Sequence, residues 1–295
     1  MDDPHQDDST PALINISPRT ILRLSGPDRL RFLNGQVTQD VGLACNEEAV
    51  YSCLLNAKGQ LDAVCHIREH GESYLIDAPL ELRNDLQARL ERYMIADDVE
   101  LSDESDDWSV SHLINHAPPP GDHQLSWATK RLASAGFDLF SRSKPSVNGV
   151  EDASLELYEI IRTLHGIPAW GAELTTGLLP PDASLETDTV SYDKGCYIGQ
   201  EVISRMKRAG KTNRHLVKFI VPSNTIPPCP IYHEGAKAGE ITTVNGNPSE
   251  SGNPSERNSM SYGLGFRLRR FSEIDAFDLQ AEHGATLPGA VRIRS

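Results

Sequence analysis

The 295-residue sequence lacks two features that would tie the protein to a membrane. No apolar run approaches the roughly 20 residues that a helix needs to span a bilayer. Residues 1–10 are acidic and polar, without the basic start and apolar centre of a secretion signal. These absences predict a cytoplasmic protein with no membrane partner.

Cysteine is also scarce, and its spacing argues against two kinds of cross-linked site. The five cysteines are odd in number and include no Cys-x-x-Cys pair. A disulfide framework would need an even number, and a self-contained zinc site would usually contain such a pair. The cysteines are Cys45, Cys53, Cys65, Cys196 and Cys229. We therefore expect a reducing compartment and no resident metal. Cys53 and Cys65 lie in apolar, strand-like segments, where a buried structural role is usual.

Positive charge is in short supply. The 28 Lys and Arg residues against 42 Asp and Glu give a formal charge of -14, which predicts a poor general binder of nucleic acid. The charges are segregated, because residues 97–107 hold seven carboxylates and no cation, whereas residues 205–218 hold six Lys or Arg and no acid. The acidic run suits a scaffold that recruits a basic partner, and the basic stretch suits an anionic ligand.

One stretch, residues 194–201, concentrates reactive groups in the sequence Lys-Gly-Cys-Tyr-Ile-Gly-Gln-Glu. Its two glycines permit positive φ angles or a close approach of the backbone to a ligand. Apolar residues at helical spacing follow, so we predict a tight loop that leads into a helix. Ser191 or Asp193 is expected to cap that helix. Cys196 would then lie near the positive end of the helix, where a thiol becomes more nucleophilic.

The remaining patterns predict a mixed first part and an all-β second part. At roughly 150 residues per domain the length favours about two domains. Strands are predicted at 21–24, 51–55, 61–67, 74–76 and 137–140, with a hairpin around residues 56–59. Helices are predicted at 30–37, 82–93, 127–135 and 151–165, the last two ending at Gly136 and Gly166.

After residue 211 the apolar pattern changes to period two, which is typical of a small barrel or sandwich. Strands are predicted at 215–221, 231–233, 238–244, 262–267 and 290–293, with a domain boundary near residue 209. Residues 245–259, which repeat Asn-Pro-Ser-Glu, are predicted to form a long polar loop.

The motif at 194–201 resembles that of the YgfZ-type folate-binding proteins, relatives of the tetrahydrofolate-dependent aminomethyltransferase of the glycine cleavage system. Shorter similar segments occur at 26–28, 32–40, 162–173 and 179–180. The resemblance implies an α+β fold, a three-domain cloverleaf around a central cavity with a C-terminal antiparallel β-barrel. The expected division is a disordered acidic tail (1–11), a discontinuous α+β domain (12–50 with 122–208), a second α+β domain (51–121) and the barrel (209–295).

The resemblance also implies a function. It predicts a folate-binding accessory factor for iron–sulfur cluster assembly or repair, linked to tRNA modification, that acts through Cys196. A cluster usually takes about four thiolate ligands, so contact with it would be transient and shared with assembly or client proteins. Tetrahydrofolate or another anionic pterin is expected at the loop. The residues expected to bind it are Lys194, Gly195, Tyr197, Gly199, Gln200, Glu201 and Arg205.

The transferase branch supplies an enzyme alternative, a tetrahydrofolate-dependent aminomethyltransferase or demethylase. Asp62, three residues after Gly59, falls near an acidic position of that branch and would stabilise an iminium-like cation. Two differences count against it, because Leu164 stands where the transferase has a pterin-binding glutamate, and the transferase lacks the motif cysteine. Structural roles stay open as well: a surface carboxylate for Asp62, packing for Tyr197, and solvated cations for the basic side chains.

Overall fold

The computed structural model describes residues 10–45, 47–118, 125–132, 134–210, 212–246, 260–280 and 286–294. Most of the predicted acidic tail, Lys211 and residues 247–259 of the predicted polar loop lie outside these residues. The described helices are α1 (Arg29–Gln36), α2 (Arg83–Glu91), α3 (Leu155–His165), α4 (Glu186–Thr189) and α5 (Gln200–Ala209). None of them is long and apolar enough to cross a membrane.

The first ten described strands precede the helix α3. They are β1 (Ala12–Asn15), β2 (Thr20–Ser25), β3 (Val50–Leu55), β4 (Leu61–His70), β5 (Ser73–Ala78), β6 (Glu100–Asp103), β7 (Ser109–Ile114), β8 (Leu125–Leu132), β9 (Ser134–Ser141) and β10 (Glu151–Ala153). Six more follow the helix α5. They are β11 (Arg214–Pro222), β12 (Cys229–His233), β13 (Ala236–Asn245), β14 (Met260–Leu268), β15 (Ala276–Gln280) and β16 (Thr286–Ile293).

These strands form two five-stranded sheets and a closed barrel. The first sheet has the order β10-β1-β7-β9-β8, with β1 parallel to β10 and antiparallel to β7. The second has the order β3-β4-β5-β2-β6 and is antiparallel throughout. The barrel, β11-β14-β13-β12-β15-β16, is also antiparallel. The predicted α+β class with a C-terminal antiparallel barrel is confirmed.

The domain limits stay a prediction, but the strand pairings cross them. The strand β2, from the predicted first domain, pairs with β5 and β6 in the second sheet. The strand β7, from the predicted second domain, pairs with β1 and β9 in the first sheet.

The predicted helix at 127–135 is wrong, because this segment contains the strand β8. Its side chains alternate, with Trp127, Thr129 and Arg131 buried and Lys130 exposed. The local preference of these residues for a helix is overridden by tertiary packing. Gly136 is therefore not a helix cap but part of β9, where a Cβ atom would come within 2.8 Å of the His112 ring.

The predicted helix at 151–165 is partly right. Residues 151–153 form β10, and α3 begins after Ser154, whose hydroxyl oxygen accepts a hydrogen bond from the Leu157 amide at 3.3 Å. Gly166 ends α3 with a φ of 76°, as predicted for a helix-terminating glycine.

A buried ionic cluster joins the two five-stranded sheets. Asp77 of β5 and Asp138 of β9 are fully buried. Both bind Arg68 of β4 and Arg131 of β8, with Arg131 Nη2 at 2.5 Å from Asp77 Oδ2 and 2.6 Å from Asp138 Oδ2. Arg19 also pairs with Asp77. Each carboxylate therefore binds guanidinium groups from both sheets.

The cluster keeps its carboxylates ionised. Burial alone would raise the pKa of Asp77 and Asp138, but the guanidinium charges outweigh burial and hold both pKa values below their usual range. A depressed carboxyl pKa contributes stability that is fully present above the unfolded-state value of about 3.9. That stability is lost as the pH falls through the folded-state pKa.

We expect the substitution Asp138→Asn to lower the free energy of unfolding by about 3–5 kcal/mol at pH 7, because it leaves buried guanidinium groups short of a counter-charge. Urea unfolding measures this loss. As a control, Asp107→Asn removes only an exposed pair with Arg142 and should leave the midpoint almost unchanged. The difference between wild type and Asp138→Asn should shrink below about pH 4. Equal stability of the two proteins at pH 7 would contradict this account.

Candidate functional site

The motif loop, residues 194–199, lies along the end of α1 and the residues that follow it. The Ile198 amide donates a hydrogen bond to the Gly35 carbonyl at 3.3 Å. Lys194 Nζ donates to the carbonyls of Val37 at 2.9 Å and Gln39 at 2.7 Å. Backbone acceptors from a distant part of the sequence therefore hold one side of the loop.

The other side of the motif loop lies against the turn between β3 and β4. Gly199 has a φ of 87°, and a Cβ atom there would come within 2.8 Å of the Asn56 carbonyl oxygen. At Gly59 a Cβ atom would come within 2.9 Å of Val202. Gly195 has open space at its Cβ position. The motif glycines were predicted to let the backbone approach a ligand closely. At Gly199 the backbone instead approaches the β3–β4 turn of the protein.

The start of α5 corrects the predicted cap. Gly199 is the N-cap residue and no side chain in the described part of the chain caps the helix, so the expectation for Ser191 or Asp193 is wrong. The Ser191 amide instead donates to the Thr38 carbonyl at 3.0 Å. Cys196 lies four residues before the first helical residue, Gln200.

Lys194 acts as a clip for the motif loop. Its side chain is half-buried, and burial lowers its pKa to about 8, although the Asp40 carboxylate acts in the opposite direction. The ammonium group also lies 5.3 Å from the centre of the Tyr197 ring. The two carbonyl contacts account for this cation without a ligand.

Tyr197 anchors the motif loop in an apolar cluster. Its side chain is 7% exposed and packs with Cys53, Leu55, Leu61 and Ile203 among other residues. Burial raises its pKa to about 12. The packing role is confirmed, but the hydroxyl has no hydrogen-bond partner among the described residues.

The five cysteines differ in accessibility. Cys196 and Cys45 are exposed, Cys229 is half-buried, and Cys53 and Cys65 are buried as predicted. Burial raises the pKa of both buried thiols, that of Cys53 to about 12, which makes them poor nucleophiles at neutral pH. Cys196 is therefore the accessible thiol of the motif, with Cys45 as a natural comparison.

Two cations of α5 have partners within the protein. Arg205 Nη2 pairs with Glu201 Oε1 at 2.9 Å, and both side chains are exposed. Gln200 is half-buried at the start of the helix. Further along, Lys207 Nζ lies 3.4 Å from the centre of the Tyr192 ring. The predicted ligand-binding cations Lys194 and Arg205 thus both have partners within the chain.

Asp62 has a partner that sequence reasoning missed. Asp62 lies near the start of β4 with its side chain 26% exposed, and its Oδ2 accepts a hydrogen bond from Arg89 Nε at 3.0 Å. Arg89 also donates to Gln36 Oε1 at 2.9 Å and to the Leu55 carbonyl at 3.1 Å. The only available signal was a charged residue beside Leu86 and Leu90 on the apolar face of α2.

The acidic run at 97–107 is largely neutralised by the protein. Five of its carboxylates pair with arginines at 2.5–2.9 Å: Asp97 with Arg31, Asp103 and Asp106 with Arg83, Glu104 with Arg23, and Asp107 with Arg142. The surface is therefore less negative there than the sequence suggests, which weakens the scaffold hypothesis.

A cleft of about 280 Å³ lies between the end of α3 and the barrel. His165, Gly166, Ser184, Lys218 and Arg294 are among its lining residues, whereas no residue of the motif loop lines it. Leu164, which stands at the position of the transferase glutamate, is half-buried. Across the described residues, no group of three or more His, Cys, Asp or Glu side chains is arranged to hold a metal ion.

A solved structure shares the fold of this chain. The fold is similar to the crystal structure of glycine cleavage system aminomethyltransferase T from Bartonella henselae, with a TM-score of 0.77 and 15% sequence identity over 98% of this chain and 86% of that chain. The chain therefore has the aminomethyltransferase fold. No protein-family model matches it.

Sequence comparison identifies proteins that are similar to this chain. The human mitochondrial iron–sulfur cluster assembly factor IBA57 is 29% identical over 242 residues, covering 72% of this chain and 68% of that protein. The tRNA-modifying protein YgfZ of Photobacterium profundum is 24% identical over 223 residues, covering 69% and 68%. The Neurospora crassa IBA57 homolog is 24% identical over 259 residues, and the match spans only 56% of that protein. The predicted resemblance is confirmed: this chain is a relative of the YgfZ and IBA57 proteins.

The two glycines of the motif give a direct test of the loop geometry. Gly199→Ala should destabilise the protein by about 1–3 kcal/mol, because alanine is strained at a positive φ and its methyl group would meet the Asn56 carbonyl. Gly195→Ala, at a position with open space, should have little effect. Urea unfolding of both variants measures the difference. Equal midpoints would show that the motif loop does not need this backbone conformation.

Proposed function

We propose that the protein is an accessory factor for iron–sulfur cluster assembly or repair that acts through the thiol of Cys196. The observation that carries the proposal is an exposed cysteine on a loop that is fixed from two sides. The names of the IBA57 relatives support the process, and those of the YgfZ relatives add tRNA modification as a process that it would serve. We further propose that it works in the cytoplasm.

The iron–sulfur cluster is cargo in this proposal. One cysteine is far fewer than the roughly four thiolates that usually hold a cluster, so an assembly or client protein would supply the others. The Cys196 thiolate would contact iron or sulfur transiently, or attack a disulfide of a partner protein, forming a mixed disulfide and releasing the other sulfur as a thiolate. A fixed loop favours such a role, since it keeps the cysteine exposed at a defined position and prevents it from packing against the apolar cluster around Tyr197.

Cys196→Ser should abolish rescue of a strain that lacks the gene, measured as the activity of its iron–sulfur enzymes. The change replaces one sulfur by oxygen at an exposed position, so the fold should survive. Cys45→Ser, at the other exposed cysteine, should rescue fully. Full rescue by Cys196→Ser would contradict the thiol role.

Tetrahydrofolate is the proposed ligand, and the residues of the loop fit it unequally. Among the described residues Arg205 forms an exposed pair with Glu201, a weak interaction that a ligand carboxylate could replace. Its planar guanidinium suits two-point binding of a carboxylate. Lys194 fits poorly, because its ammonium is half-buried and already donates to two carbonyls. Arg205 is therefore the better candidate for the glutamate end of a folate.

The second candidate is a folate-dependent aminomethyltransferase or demethylase. Two observations favour it, the aminomethyltransferase fold and the partly exposed Asp62 carboxylate that Arg89 holds in place. Such a carboxylate would stabilise an iminium cation. Against it stands Leu164, since a leucine cannot accept hydrogen bonds from a pterin and would leave its donors unpaired, at a cost of about 1–3 kcal/mol.

Calorimetry and an activity assay separate the two candidates. We expect tetrahydrofolate to release heat on binding to wild type, less on binding to Arg205→Ala, and no methylene-tetrahydrofolate or formaldehyde to form from methylated amines. Turnover that disappears in Asp62→Asn, but persists in the control Asp152→Asn on β10, would instead establish the enzyme. Absence of heat at high micromolar concentration of tetrahydrofolate would exclude folate as the ligand and leave the proposed role of the Cys196 thiol untouched.

A further inference from the structure

Arg89 contacts both of the chain segments on which the motif loop rests. Its side chain is buried, with 8% exposed. Its three guanidinium nitrogens reach three separate acceptors: Nε to Asp62 Oδ2 at 3.0 Å, Nη1 to Gln36 Oε1 at 2.9 Å and Nη2 to the Leu55 carbonyl at 3.1 Å. The Tyr93 ring covers the guanidinium at 4.3 Å.

The first supporting segment surrounds Gln36. The neighbouring carbonyls of Gly35 and Val37 accept the hydrogen bonds from the Ile198 amide and Lys194 Nζ. A shift of Gln36 would therefore move two of the acceptors that hold the motif loop.

The second supporting segment begins at Leu55. A Cβ atom at Gly199 would lie 3.1 Å from Leu55 Cβ and 2.8 Å from the carbonyl oxygen of the next residue, Asn56. Arg89 binds the Leu55 carbonyl and, on β4 beyond the turn, Asp62. One guanidinium thus ties the end of α1 to both ends of the β3–β4 turn.

We propose that Arg89 is a positioning residue that makes Asp62 and the motif loop parts of one site. A planar fork of donors serves three acceptors in different directions, which a lysine ammonium on a flexible stem does not reproduce. The assignment of Cys196 as the reactive group of this site rests on the proposed function. The mechanical coupling rests on the contacts alone.

Amide hydrogen exchange tests the coupling. In Arg89→Lys the Ile198 amide should exchange about tenfold faster than in wild type, because its acceptor segment opens locally. Amides of the barrel strand β11 should keep their wild-type rates. Arg83→Lys serves as a control, since Arg83 lies on the same helix but pairs with exposed carboxylates at Asp103 and Asp106, and it should leave the Ile198 rate unchanged.

The coupling to Asp62 is tested by a double-mutant cycle. Asp62→Asn alone should also speed Ile198 exchange, and its effect should be smaller in the Arg89→Lys background. If Arg89→Lys does not fold, Gln36→Leu, which removes one acceptor of the guanidinium, should give the same local acceleration. An unchanged Ile198 rate, additive effects, or equal acceleration throughout the chain would overturn the proposal. Exchange does not depend on cluster chemistry, so a failed rescue experiment would overturn the proposed function and leave this result intact.

Discussion

The shared guanidinium groups of the buried ionic cluster constrain the rest of the structure. Asp77 and Asp138 belong to different sheets, and a buried carboxylate must keep its charged partners because no water replaces them. The relative position of β4 and β5 against β8 and β9 follows from this requirement. The strand β4 carries Arg68 near one end and Asp62 near the other. The β3–β4 turn, which supports the motif loop, is therefore attached to the same strand that the cluster fixes.

The geometry of the motif loop changes how its charged residues are interpreted. A lysine, an arginine and a glutamate beside two glycines suggest a binding site for an anion. In the structure Lys194 binds backbone carbonyls, Glu201 binds Arg205, and Gly199 accommodates the neighbouring turn. These residues therefore bind other parts of the protein. Cys196 is the exposed nucleophile of the motif.

Patterns within short segments were predictable, whereas contacts between distant segments were not. Alternation of side chains gave the β3–β4 hairpin and five strands of the barrel, and apolar spacing gave α2 and α5. The helix prediction for residues 127–135 was wrong. This segment contains the strand β8, because Trp127 and Arg131 are buried on one face. The motif and its accessible cysteine were found from the sequence, but the clip was not, since Lys194 and its acceptor Gln39 lie 155 residues apart.

The conformation of the eight-residue motif depends partly on residues outside it. At Gly199 the Asn56 carbonyl oxygen occupies the space that a side chain would need, and Gly59, with a φ of 72°, leaves room for Val202. A synthetic peptide of the motif would sample many backbone conformations and would not hold its cysteine at a defined position. Motif and turn form one structural unit, so another sequence with these eight residues should share the loop conformation only when a glycine-containing hairpin turn precedes them.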